Sequence, residues 1–323
     1  MDRIGTGELE TTIKNDYGNI VGLVAQKDGE RLYEGYWNGY GPDDAAHLFS
    51  VTKSVVSALV GIAIEEGYLP GVQARVLDYF PEYRVEGDRP ALRSITLRNL
   101  LSMTVPYAYE VEPYELFLTS PDPTAAALDL VGGEPGRFQY SAIGGAQLLA
   151  HILSRATGRP LIEYAREKLF GPLGLKVPVS LVLRDQAEYL ATMGDRRTRG
   201  WAVDGSGVNA AGWGLFLSPA ELAAFGQLYL DRGLYAGQRL VPEAWIAEGT
   251  REHSRCPERG GLPYGYLWWL IGDGRYAALG DGGNALYLNP KERLVVAVTA
   301  RFTPDAKDSV ELIKRWVEPL ALR

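Results

Sequence analysis

The sequence predicts an α/β fold of the α+β type: one antiparallel sheet built from both chain ends, flanked by helices, with a mostly helical segment inserted in the middle. Three observations carry this. Runs with period two occur near the start of the chain and again near its end. The middle has helical period and helix stop signals. With 323 residues, 46% of them hydrophobic, the chain can bury one large core or two tightly joined ones. We expect residues 1–80 and 210–323 to form the sheet domain and residues 81–209 the helical insert.

Stretches 20–25 and 31–37 read as strands joined at Asp28-Gly29, a hairpin signal. A helix over 50–67 follows, closed by Gly67. Residues 95–103 read as a short helix capped by Thr96. Residues 104–122 are rich in Tyr, Glu and Pro and read as a loop with aromatic walls; Tyr107 and Tyr109 are candidate cleft walls, as are Trp201 and Trp213 further on. Helices are predicted over 123–131, 143–157 and 160–170, the second stopped by Gly158 and the third by Pro172 and Gly174. Residues 176–217 read as irregular. Helices return over 218–232, where Ser218-Pro219-Ala220-Glu221 joins a capping box to an early proline, and over 242–249. The period then drops to two over 264–270, 285–288 and 294–299, with a turn at 289–292. A final amphipathic helix near 305–319 presents Val310, Ile313, Trp316 and Val317.

Net charge is −7, without a basic patch or charge run, which argues against nucleic acid and anionic membranes as partners. The first residues have no apolar signal core, so a cytoplasmic location is expected. The one cysteine, Cys256, excludes an internal disulfide and reads as a loop thiol. No His or second Cys stands at ligand spacing, so neither a metal nor a cofactor is expected. Of three histidines, His151 is expected to pack within a helix, His47 to line a site mouth, and His253 to be exposed.

The helix that begins near Ser50 is nearly all apolar, yet Lys53 sits one turn inside it. Residues three apart share a helix face, so Ser50 and Lys53 can touch. Burial and the positive end of the helix dipole both push that ammonium to lose its proton. A neutral amine beside a hydroxyl is a nucleophile with its base. Ser-x-x-Lys alone is a weak signal, and an N-cap serine beside a snorkelling lysine is the bland alternative. Two later segments supply what an acyl-transfer site lacks. Tyr140, in Gln139-Tyr140-Ser141-Ala142, lies at a loop-to-helix junction; its phenol, with its pKa lowered by a nearby lysine, can relay a proton. Asp281-Gly282-Gly283-Asn284 opens a late strand, where glycines let a substrate lie along the edge and an N–H past them can pair with that of Ser50.

In that order, Phe49-Ser50-Val51-Thr52-Lys53, Tyr140-Ser141-Ala142 and Asp281-Gly282-Gly283 resemble the motifs of the penicillin-recognising serine hydrolases. The chain looks most like the class C β-lactamase branch, with its DD-peptidases, family VIII carboxylesterases and 6-aminohexanoate-dimer hydrolases. The resemblance extends to 97–104, 211–219 and 264–269. It implies a β-lactamase/transpeptidase-like fold with the active site between sheet and helical insert. It further implies Ser50 as nucleophile, Lys53 as general base, Tyr140 as proton relay, and the backbone N–H groups of Ser50 and Asn284 as oxyanion hole.

Two positions depart from the family pattern. Ala142 stands where an asparagine usually contacts the lysine and a substrate amide, which alanine cannot do. Asp281 stands where a lysine or histidine usually attracts a carboxylate; like charges a few ångströms apart cost on the order of 1–4 kcal/mol. The expected substrate is therefore a small ester or amide, with Asp281, Gly282, Gly283 and the four aromatics around it. A β-lactamase or penicillin-binding DD-peptidase is the alternative, and a catalytically idle binding scaffold the second. A Ser-His-Asp hydrolase is disfavoured, since no Gly-x-Ser-x-Gly elbow is present.

Overall fold

The computed structural model describes residues 6–322. Helix α1 (Thr6–Asp16) precedes the hairpin of β1 (Ile20–Lys27) and β2 (Glu30–Tyr36). Strand β3 (Ala46–His47) leads through a tight turn at Phe49–Val51 into α2 (Thr52–Glu65). The middle carries α3 (Pro90–Ser94), α4 (Leu97–Leu101), α5 (Tyr114–Thr119), α6 (Pro123–Asp129), α7 (Gly144–Thr157), α8 (Leu161–Ala165) and α9 (Gly171–Leu173). Next come β4 (Ser180–Leu181), α10 (Gln186–Gly194), β5 (Gly200–Ala202), β6 (Leu215–Leu217), α11 (Pro219–Leu230), a small hairpin of β7 (Leu234–Tyr235) and β8 (Gln238–Arg239), and α12 (Glu243–Gly249). Strands β9 (Ser254–Cys256), β10 (Leu262–Tyr264), β11 (Trp269–Gly272), β12 (Arg275–Gly280), β13 (Asn284–Asn289) and β14 (Leu294–Ala300) follow, and the end is helical from α13 (Ser309–Leu312) to α14 (Glu318–Ala321).

The main sheet has eight strands in the order β2-β1-β14-β13-β12-β11-β10-β9, and its ladders are antiparallel. The first strand thus lies beside the last, as the two-ended sheet prediction requires. Strand β14 shows why its sequence is apolar from Leu294 to Val298: Val296 and Val298 face a core with α1 and the C-terminal helix, whereas Val295 and Ala297 face the core of α2 and α11. Both faces are covered, and successive residues point to opposite sides. Helix α11 starts with the expected capping box, Ser218 Oγ accepting from Glu221 N–H and Glu221 accepting from Ser218 N–H. Thr96 caps α4 in the same manner with Asn99.

Several elements differ from the sequence reading. The run 264–270 is two strands, because Leu267 adopts φ 63 and the N–H groups of Tyr266 and Leu267 bond outward to Gly249 and Leu101. Segment 176–217 contains α10 and three strands of a second sheet ordered β3-β6-β5-β4. Strand β12 and helix α1 carry no strong local signal; β12 buries Tyr276, Ala277 and Ala278, whereas α1 buries only Leu9 and Ile13 and is otherwise mostly exposed. Among the described residues no helix is long and apolar enough to cross a membrane.

Candidate active site

Phe49 has φ 48, a left-handed conformation that costs a non-glycine residue roughly 1–3 kcal/mol. That kink turns the chain from β3 into α2 and leaves Ser50 half-buried at the helix mouth while its neighbours are buried. Helix α2 is then held on its polar positions: Thr52 Oγ1 accepts from Leu215 N–H at 3.2 Å, and Ser54 Oγ donates to the Leu267 carbonyl at 2.6 Å.

Lys53 is 1% exposed. Its Nζ lies 3.0 Å from Ser50 Oγ, 2.7 Å from the Ala142 carbonyl and 2.8 Å from the Gly212 carbonyl. Burial pushes its pKa down to about 8, against the opposing pull of the Glu112 and Asp281 carboxylates. Carbonyl oxygens only accept. A neutral amine here therefore spends both N–H groups on Ala142 and Gly212 and turns its lone pair to the Ser50 hydroxyl. That is the geometry of a base over its nucleophile.

The two carbonyls come from segments that touch. A Cβ on Gly212 would sit 2.3 Å from the Ala142 oxygen, so glycine is what lets both oxygens converge on one amine. The 211–212 side is anchored from α7, where Gln147 Oε1 accepts from Ala211 N–H at 3.2 Å and Gln147 Nε2 donates to Asp204 at 2.6 Å. On the 141–144 side lies buried Glu112. Its carboxylate accepts from Ser141 Oγ at 2.8 Å and from the N–H groups of Ala142, Ile143 and Gly144 at 2.5, 3.0 and 3.0 Å. Neither Glu112 nor Gln147 was singled out from sequence; their partners are 29 and 64 residues away, beyond any local signal.

Tyr140 lies over Lys53, its ring centroid 5.2 Å from Nζ, and stacks on Trp269 at 5.7 Å. Burial raises its phenol pKa, Asp281 and Glu112 add to the rise, and a hydrogen bond with Ser50 opposes it. The expected lowering by a lysine is thus reversed, because burial of the phenol itself dominates. Tyr140 stands as a neutral O–H, a donor rather than a phenolate base.

Ser50 and Tyr140 open into a cleft of about 640 Å³. Tyr107 and Tyr109 line it, stacked 5.0 Å apart, as do Gly280 and exposed Asp281. Glu110, Glu134 and Glu258 join Asp281, against Arg137 and Arg259, so carboxylates outnumber cations. Gly282 and Gly283 form a left-handed turn outside the cleft lining; a Cβ on Gly282 would meet the Arg301 carbonyl at 2.8 Å. Asn284 is 1% exposed, and its side chain donates to the Asp281 and Ala300 carbonyls and accepts from Ala300 N–H. Gly280 and Asp281 line the cleft with Ser50, and Asn284 pairs with Gly280 where β13 opens.

Trp201 is fully buried, donates to the Ala210 carbonyl at 2.9 Å, and packs on Phe170; it is core rather than cleft wall. Trp213 also lies outside the cleft lining, against His47 and Tyr189. His47 does not line the mouth either: it is 3% exposed among Phe49, Trp213 and Phe216, and burial pushes its pKa to about 3, which keeps it neutral. His253 is stacked on Tyr266 at 3.9 Å with its side chain covered, and Cys256 is a buried strand residue that reaches the cleft wall. Among the described residues no group of three or more His, Cys, Asp or Glu could hold a metal ion.

Comparison with known proteins adds to this geometry. The family model described as Beta-lactamase matches residues 13–318. The 6-aminohexanoate-dimer hydrolase of Paenarthrobacter ureafaciens is 27% identical over 313 residues, covering 88% of this chain and 74% of that protein. A D-aminopeptidase of Brucella anthropi is 26% identical over 196 residues, 54% of this chain and 36% of its own length. A crystal structure of a penicillin-binding protein homologue from Caulobacter crescentus superposes with a TM-score of 0.74 at 20% identity, covering 99% of this chain and 97% of that one.

Proposed function

The chain belongs to the Beta-lactamase family of serine hydrolases, and from that premise we propose an acyl-enzyme hydrolase of small amides or esters, with Ser50 as nucleophile, Lys53 as base and Tyr140 as proton relay. The observation that carries the reading is Lys53 Nζ at 3.0 Å from Ser50 Oγ with two carbonyls occupying its remaining donors. In the proposed sequence neutral Lys53 takes the Ser50 proton as Oγ bonds to the substrate carbonyl carbon. The oxyanion sits on the Ser50 N–H and on a backbone N–H of the turn 281–284, of which Asp281 borders the cleft. On collapse the C–N or C–O bond breaks, the leaving group takes the Tyr140 proton, and the phenol is recharged from the Lys53 ammonium. Water repeats the steps on the ester of Ser50.

The acid-rich cleft favours substrates with an ammonium end over those with a carboxylate, which Asp281 would repel. The names of the two curated relatives, a 6-aminohexanoate-dimer hydrolase and a D-aminopeptidase, agree with an amine-bearing amide. The test compares short amides of equal length ending in ammonium, neutral or carboxylate groups, with p-nitrophenyl acetate as a general acyl donor. Turnover lost in Ser50→Ala, with ammonium amides preferred, is the expected result. A fluorophosphonate that fails to label Ser50 would sink the assignment, and rapid nitrocefin hydrolysis would favour a β-lactamase instead.

A further inference from the structure

Lys53 depends for its aim on the peptide unit between Ala142 and Ile143. One side of that peptide presents the Ala142 carbonyl to Nζ at 2.7 Å; the other presents the Ile143 N–H to Glu112 Oε1 at 3.0 Å. We propose that Glu112 is a positioning residue for Lys53, gripping the 141–144 turn so that a backbone carbonyl serves where Ala142 has no side-chain amide. The proposal rests on the reading of Lys53 as the base.

The grip is more than a helix cap. A cap accepts from the first N–H groups of the helix. Glu112 does so at Ile143 and Gly144, but it also takes Ala142 N–H and Ser141 Oγ, upstream of α7. Four donors on one buried carboxylate fix the whole turn, and the turn carries both Tyr140 and the Ala142 oxygen. Polarisation runs the same way: a carboxylate on the N–H side makes the far carbonyl a stronger acceptor. Glu112 is absent from the cleft lining, so it acts through the turn and not on substrate. The charged and titratable groups facing Lys53 are Glu112, Asp281 and the Tyr140 phenol, and the two carboxylates hold its proton more firmly than burial alone would.

The experiment follows kcat and KM for p-nitrophenyl acetate against pH in the full-length wild type, Glu112→Gln and Glu112→Asp. In Glu112→Gln, kcat falls roughly tenfold to a hundredfold, as for a misaimed catalytic group, with KM nearly unchanged. The acid limb of the profile moves to lower pH, because a charge that retained the Lys53 proton is gone. Adding Ala142→Asn to Glu112→Gln restores part of kcat, since it supplies a side-chain amide at the position whose carbonyl holds the amine. A kcat within twofold of wild type, or a drop with an unmoved limb that tracks the melting temperature, overturns the proposal. If Glu112→Gln does not fold, Glu112→Asp decides: it keeps the charge and retracts the grip, so kcat must fall while the limb stays, and an unchanged kcat overturns the idea. Failure of wild-type Ser50 to react with a fluorophosphonate would instead remove the base reading itself.

Discussion

In the proposed mechanism, burial is what fits Lys53 to act as a base. A group whose pKa falls from near 10.5 to about 8 is neutral in a useful fraction at mild alkaline pH. The expected kcat/KM rises through an acid limb near pH 8 as Lys53 loses its proton, and a pH–rate profile on an uncharged ester measures it. A limb below pH 5 would point to a carboxylate base. The pair was legible in sequence because a helix fixes i and i+3 on one face. Tyr140 was legible in place but not in charge: its environment is set by Trp269, Asp281 and Glu112, which arrive from other parts of the chain. Trp201 misled because an aromatic in a glycine-rich stretch looks the same whether it packs or lines a cleft, and its burial, its packing on Phe170 and its bond to Ala210 decide.

At the scale of elements, the site is a meeting of α2, the turn before α7, the loop before β6 and the end of β12. The loop before β6 is the most constrained, since Gly212 stands against Ala142. Gly212→Ala is expected to cost about 1–3 kcal/mol by overpacking and to reduce kcat disproportionately, because the segments that part are the ones holding Lys53. Urea unfolding paired with ester turnover checks it; a stability loss with unchanged kcat would show that Lys53 tolerates the shift. Long apolar elements such as α2, α7, α11 and β14 were readable, since their length and apolar content match the surface they bury. Strand β12 was not: Arg275-Tyr276-Ala277-Ala278-Leu279-Gly280 has no β-branched residue, and its place in the sheet is imposed by β11 and β13.

For the molecule as a whole, the C-terminal helix is tied to the sheet by Glu318. Its carboxylate, 9% exposed as a residue, accepts from Arg275 Nε at 3.0 Å, Tyr287 OH at 2.8 Å and Asn289 Nδ2 at 2.7 Å. Burial works to raise its pKa, but hydrogen bonds from Tyr287, Arg275 and Asn289 outweigh it and hold it below the ordinary range. A depressed carboxyl contributes stability above its unfolded pKa and loses it as pH falls through the folded one. Glu318→Ala, which takes the acceptor from the buried Tyr287 hydroxyl and Asn289 amide and leaves Arg275 with Asp273 alone, should cost about 1–3 kcal/mol at neutral pH by urea denaturation, with a smaller difference below pH 4.

Strand β1 beside β14 has one more consequence, and it concerns time. Gly22 meets Thr299 across a sequence separation of 277 residues. Closing a loop of that length costs on the order of 5 kcal/mol of chain entropy before any contact rewards it. Ladders of such long range form slowly. The wall of the cleft at Gly280 ends a strand of that same late sheet, whereas Ser50 and Lys53 are three residues apart, on the turn into α2 and in the first turn of α2, and can meet early. A refolding chain should therefore hold its serine and amine side by side well before it can hydrolyse anything, and recovery of activity should lag recovery of helical signal.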